Sequence, residues 1–273
     1  MAVRKHHHLP AAVIGRFGGS HPDGLRYALI AVRQKKRKSK AQLSTAEAIA
    51  REPDLYRPTS LPAGVEPEQM ERLWERIERP LVDSLSRLEA GGHTEDDQDL
   101  VFSYLAALGV RRPGALEKVA RPRWGTVRHE QGLGDQLRQA RLLVLRNTLS
   151  MIRSLRWRML EAPPDAPRYV VNDLGFTVIS EWGRKGEALF VPVGPRLALL
   201  GFQHRPTDLR ERVYAAPWTV RWLNAATWTQ ETAKAVFGHP DDLEMLMELR
   251  RVRRVKKSPW GPYRDRRHTL MGD

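Results

Sequence analysis

Three groups of residues in this chain carry side chains suited to chemistry. The first is His6-His7-His8, followed by Leu9-Pro10. Imidazole titrates near neutrality, so such a group can act as general base and acid or hold a metal through a neutral ring nitrogen. Spacing alone favours plainer roles, a mobile basic terminus or imidazoles hydrogen-bonded inside the fold. The second group is Asn172-Asp173-Leu174-Gly175, set between two expected strands. An Asp there can ligate a metal, orient an imidazole or close a turn, and the composition favours the turn. The third is a set of cations. It comprises Lys35, Lys36, Arg37, Lys38 and Lys40, then an arginine face on a long helix (Arg138, Arg141, Arg146, Arg153, Arg156, Arg158), then Arg250, Arg251, Arg253, Arg254, Lys256 and Lys257. Trp260 and Tyr263 interleave with Arg264, Arg266 and Arg267 in the tail. Phosphate contact combined with base stacking needs this mixture, which favours RNA or DNA over merely solubilising charge.

Hydrophobic periodicity indicates the elements that must position these groups. Residues 25–32 read as a buried strand, and the basic run beginning at Arg33 as a solvated loop or arm. A short helix is expected over 42–50, then a linker through Pro58, Pro62 and Pro67. From Pro67 the apolar residues Met70, Leu73, Trp74, Ile77, Leu81, Leu85 and Leu88 recur at three and four, defining one helical face that Gly91-Gly92 should stop. Pro80 should kink or divide this helix. Thr94 and Asp97 resemble a capping box ahead of a helix over 100–108, ending at Gly109. A third helix is expected over 135–160. Beyond Pro167 the period shortens to that of strands, at 169–171, 176–179, 189–191 and 197–200. They should pair antiparallel, with a hairpin at 182–186. Helices over 219–237 and 240–254 close the chain. The expected class is α+β: an N-terminal strand or hairpin and a later antiparallel sheet, packed with a mostly helical middle and two C-terminal helices. Residues 1–240 are expected to form one such domain, and 241–273 a basic helix and tail.

Composition narrows the function. The chain of 273 residues has 46 Lys and Arg against 32 Asp and Glu, a net charge of +14 with His neutral. A surplus of that size favours a polyanionic partner. There is no cysteine, which removes disulfides, thiolate zinc sites and thiol nucleophiles. No apolar run approaches the roughly 18 residues of a membrane span, and the first 17 residues lack the apolar centre of a secretion signal, so a cytoplasmic protein is expected. A phosphate loop, a Gly-x-Ser-x-Gly elbow, a His-Glu-x-x-His helix and a dinucleotide fingerprint are all missing from the sequence.

The order of several short motifs resembles the bacterial family catalogued as domain of unknown function 4238. The matching landmarks are His6-His7-His8-Leu9-Pro10 with Phe17 seven residues beyond the Pro, Leu55-Tyr56, Arg112-Pro113, Val171-Asn172-Asp173-Leu174, Pro192-Val193-Gly194-Pro195, and Leu223-Asn224 through Val236-Phe237-Gly238. The resemblance covers about residues 4–240. Asn172 stands where the family usually has Ser, and the Pro after the Asp is missing. The resemblance implies that His6, His7, Asp173 and Asn224 are the residues to examine for a shared site.

Three functions compete. One is a histidine-dependent nuclease of a defence or toxin type, with His6 or His7 as base and acid or as metal ligand, Asp173 orienting the imidazole or sharing the metal, and basic side chains stabilising charge. This reading admits a divalent metal as cofactor. The second is a non-catalytic RNA- or DNA-binding protein in which the histidines are structural. The third is an interaction module for an acidic protein partner, marked by an exposed apolar patch at Trp218, Trp222 and Trp228, residues more often found in cores.

Overall fold

The computed structural model describes residues 5–7, 9–19, 21–35, 39–49, 51–53, 69–111, 133–179, 187–203 and 212–249, with backbone alone for 5–7, 51–53, 69–71, 110–111, 133–142 and 203. In chain order the elements are β1 (Lys5–His7), α1 (Ala11–Gly15), β2 (Leu29–Gln34), β3 (Gln42–Thr45), β4 (Arg51–Pro53), α2 (Gln69–Ala90), α3 (Glu95–Arg111), α4 (Leu133–Ser154), β5 (Leu155–Glu161), β6 (Val171–Asn172), β7 (Thr177–Ile179), β8 (Ala188–Pro192), β9 (Leu197–Gln203), β10 (Arg212–Tyr214), α5 (Pro217–Thr229), β11 (Ala235–Gly238) and α6 (Leu243–Leu249). Short 3-10 turns lie at Leu25–Tyr27, Ala46–Ala48 and Pro240–Asp242. The class is α+β. Two compact units divide the chain, one from 1–8 and 51–153, the other from 9–50 and 154–273.

The first unit is built on helices. Trp74, Leu81, Leu85 and Leu88 form the buried face of α2, spaced as a helical stripe requires. In α3, Val101, Phe102, Tyr104, Leu105, Ala106, Ala107 and Leu108 are all buried, so the middle of this helix is enclosed except along the side that carries Ser103. Trp74 and Ala107 form a small core with Ile77, Val144 and Leu145. The turn between α2 and α3 is defined at both ends. Gly91 takes φ 79°, and its N–H bonds the Leu88 carbonyl while that of Gly92 bonds the Arg87 carbonyl. That is the Schellman closure, in which glycine alone adopts the left-handed residue without strain. Across the turn, Thr94 Oγ1 accepts from Asp97 N at 3.2 Å and Asp97 Oδ2 accepts from Thr94 N at 2.9 Å, the expected capping box. Pro80 does not divide α2; it stands on the exposed side, where the carbonyl it leaves unbonded can be hydrated. Strands β1 and β4 pair antiparallel, His6 opposite Glu52 and His7 opposite Arg51.

Two sheets form the second unit. The first has the order β10-β5-β9-β8-β7, antiparallel except for the parallel β10–β5 edge pair. The second is β3-β2-β11-β6, antiparallel throughout. Helix α5 serves both cores: Val220 and Leu223 join Leu160, Tyr169, Phe190 and Leu200, whereas Ala225 and Trp228 join Val170, Val236 and Leu246. Close packing also dictates Gly201 of β9, where a Cβ would lie 2.8 Å from the Trp157 ring of β5.

Several segments depart from the sequence expectation. The expected helix over 135–160 ends at Ser154, and 155–161 is a strand whose Trp157 and Met159 are buried while Arg156 and Arg158 lie over the Phe202 ring. In place of the expected helix over 42–50, residues 42–48 hold a strand and a 3-10 turn, and Ala50 lies outside the described residues. The helix expected over 219–237 ends at Thr229, and Ala235–Gly238 is an inner strand of the second sheet. Arg33 is no part of a solvated arm; it belongs to β2 and is 1% exposed.

Candidate functional site

Asp173 and Asn224, the two polar landmarks of the second unit, act on the same stretch of chain. Asn224 is wholly buried in α5. Its Oδ1 accepts from Val170 N at 3.1 Å, and its Nδ2 donates to the Arg168 carbonyl at 2.8 Å. Three residues farther on, Asp173 closes the turn after β6. Its Oδ1 accepts from Lys234 N at 2.8 Å and from Ala235 N at 3.2 Å, latching β6 to the start of β11. Asn172 completes the turn. Its Oδ1 accepts from Leu174 N, its Nδ2 donates to the Phe176 carbonyl and to Thr177 Oγ1, and Thr177 passes the chain on to Thr227. The segment 168–173 is thus held at one end by an amide and at the other by a carboxylate.

A cationic cluster lies against this latch. Lys35 bonds the Lys234 carbonyl through its backbone N–H and the Gln230 carbonyl through Nζ. Its ammonium sits 5.7 Å from the centre of the Trp228 ring, and the Arg33 guanidinium 5.4 Å from the same ring. Burial pulls the Lys35 pKa below its ordinary value, and the Asp173 charge opposes that shift. Arg33 Nη2 donates to the Ser39 carbonyl at 3.0 Å, and Nη1 to Met247 Sδ at 3.0 Å beside the last carbonyls of α6. A buried cation at a helix C-terminus meets the negative end of the helix dipole. Sequence reasoning placed Lys35 in a phosphate-binding run. Here its ammonium reaches a backbone carbonyl and an indole, while Lys40 is exposed.

A second polar cluster joins the same segment to the chain before α6. Arg168 meets Asp241 Oδ2 and Asp242 Oδ1, each at 3.3 Å, and His239 Nδ1 accepts from Asp241 N. Burial pushes the Asp242 carboxyl above the usual range against the pull of Arg168, and its Oδ2 is buried with no hydrogen-bond partner among the described residues. In the first unit, Asp97 accepts from Arg87, Ser84 and Thr94, and the guanidinium foremost holds its carboxyl far below the usual range. No sequence motif flagged Arg168, Asp241 and Asp242. Their pairing joins positions more than 70 residues apart.

His6 and His7 lie on β1 of the first unit, on consecutive positions of a paired strand. Lys36, Arg37, Lys38 and the cations and aromatics from Arg250 to Tyr263 fall outside the described residues. Among the described residues no group of three His, Cys, Asp or Glu is placed to hold a metal, and no helix is long and apolar enough to cross a membrane.

A family model described as "Protein of unknown function (DUF4238)" matches residues 5–242. The chain belongs to this family. No curated protein and no solved structure matches it. The match takes in β1 with its two histidines, the Asp173 latch, the Asn224 pin and the 3-10 turn bearing Asp241 and Asp242, so it reaches into both units and stops just before α6.

Proposed function

We propose that this protein binds nucleic acid, RNA or DNA, through its cationic surface. The observation that carries the reading is the net charge of +14. A polyanion recruits such a surface by displacing its own condensed counterions, with an affinity that falls steeply with salt. Exposed cations without an acidic partner among the described residues, such as Arg221 and Lys234, add to the charge supplied by the sequence of the tail. Asp173 Oδ1 and both polar atoms of the Asn224 amide bond backbone partners, which supports reading the two residues as positioning the 168–173 segment.

Phosphodiester cleavage by His6 and His7 is the second reading. The observation favouring it is that both histidines lie on a paired strand within the family match; as consecutive strand positions they belong to opposite faces, so one of the two, not both, would serve a given site. A divalent metal belongs to this reading as a cofactor to be tested. Labelled RNA and DNA incubated with the full chain, with Mg²⁺ or with chelator, separate the two. Retarded, uncleaved probe with both wild type and His6→Ala/His7→Ala supports binding alone. Cleavage that the double variant loses supports the nuclease, and the chelator lane reports whether metal is needed. Absence of both retardation and cleavage refutes both readings.

A further inference from the structure

The sulfur of Met247, in α6, is held by two hydrogen-bond donors. Arg33 Nη1 reaches it at 3.0 Å and the Ala41 N–H at 3.3 Å. A thioether is only a weak acceptor, so these two donors are suited to a stronger one. Both are fixed from behind. Arg33 is 1% exposed on β2, its Nη2 donates to the Ser39 carbonyl at 3.0 Å, and its Nη1 also lies 3.4 Å from the Leu246 carbonyl. Ala41 directly precedes β3 and packs against the same core as Leu246 and Leu249. The sulfur therefore ties α6 to both strands of the β2–β3 pair.

Oxidation of a methionine replaces a flexible apolar group by a polar, chiral one, which is disruptive where the side chain fills a core. Met159 is such a case, 2% exposed in β5, and Met245 packs against the core beneath α6. Met247 is 40% exposed, and the contacts of its sulfur are polar. A new oxygen there meets donors rather than hydrocarbon. With three rotatable bonds, the side chain can withdraw toward solvent while that oxygen takes the place of the sulfur between the two donors.

We propose that Met247 is a reversible oxidation site, at which a peroxide converts the thioether to a sulfoxide whose oxygen Arg33 and Ala41 then hold. The sulfur attacks one oxygen of hydrogen peroxide. An S–O bond forms as the O–O bond breaks, the sulfur gives up two electrons, and the proton of the transferred oxygen leaves with the other oxygen as water. The partial negative charge on the sulfoxide oxygen is met by a guanidinium, a charge-assisted donor. Arg33 approaches the sulfur from the protein interior and Ala41 from its exposed side. A peroxide thus reaches one of the two lone pairs and yields one sulfoxide epimer. The proposal is independent of the nucleic-acid reading.

The test treats the full chain with dilute hydrogen peroxide, quenches with catalase, and maps the methionines by digestion and mass spectrometry. Met247 should oxidise while buried Met159 stays reduced, which also shows that the chain remains folded. The peptides are then treated with each of the two classes of methionine sulfoxide reductase, one specific for each epimer. One class should restore Met247 and the other leave it oxidised, whereas after oxidation in urea each should restore about half. Amide exchange at Ala41 should slow by about fivefold on oxidation, the gain of a stronger acceptor. Met247→Leu should make that amide indifferent to peroxide. Met247 that stays reduced at a dose oxidising Met151, which is 53% exposed, overturns the proposal. So does a mixture of epimers from the folded chain, or an Ala41 amide that exchanges as fast or faster after oxidation.

Discussion

Asn224 is a wholly buried amide. It bridges Arg168 and Val170 from inside α5, and neither polar atom is left for a substrate. Asn224→Ala should therefore destabilise the protein by about 2–4 kcal/mol, since a buried N–H and a buried carbonyl lose their partners together. Urea unfolding measures this, and an Asn224→Ala variant of wild-type stability would return the residue to the list of catalytic candidates. At Asp173 the charge and the hydrogen bonds separate cleanly. Asp173→Asn retains an Oδ1 that can accept from Lys234 and Ala235, but it removes the negative charge that holds the Lys35 pKa up against burial. Lys35 should then titrate at still lower pH, and acetic anhydride labelling of Lys35 followed by mass spectrometry should reach half-maximum at a lower pH than in wild type. An unshifted labelling profile would mean that the two groups are not coupled.

Among the elements, two carboxylates, one in each unit, contribute to stability with opposite dependence on pH. The folded pKa of Asp97 is lowered by Arg87, Ser84 and Thr94, so its contribution is full above the unfolded value of about 3.9 and is lost as pH falls toward the folded pKa. Burial raises the folded pKa of Asp242, so its stabilising contribution is full below about 3.9 and is lost as pH rises through the folded value. Urea melts at pH 3 and pH 7 check both signs. Asp97→Asn should cost more stability at pH 7 than at pH 3, and Asp242→Asn should become relatively more favourable at pH 7; a reversed order for either variant would contradict the assignment. The α2–α3 turn was the most legible part of the sequence because Gly91-Gly92, Thr94 and Asp97 specify it within seven residues. Thr94→Ala should accordingly cost about 1 kcal/mol in the same melts. Strand β5 was not legible because it follows α4 with no intervening breaker, so its two-residue alternation of arginine with Trp157 and Met159 merges into a helical pattern. Strand β11 was hidden in the same way behind α5. Arg33 could not be read as buried because its partners, Met247, Ser39 and the Trp228 ring, reach it through tertiary packing.

At the scale of the whole molecule, the α+β class and the family follow from pattern and motif order, whereas the location of function does not. The landmarks separate into histidines on one unit and the Asp173–Asn224 strapping of segment 168–173 on the other. The chain carries a surplus of 14 positive charges, nearly all of it on the second unit. We propose that this surplus serves a nucleic-acid partner, and a salt titration of U20 RNA and dT20 DNA binding by the wild-type chain is the decisive experiment. Counterion release predicts that log Kobs falls linearly with log salt, with a slope of about −0.7 for each phosphate neutralised, so several contacts give a steep line. Binding that is absent at 50 mM salt, or that does not change as salt is raised, would contradict the account.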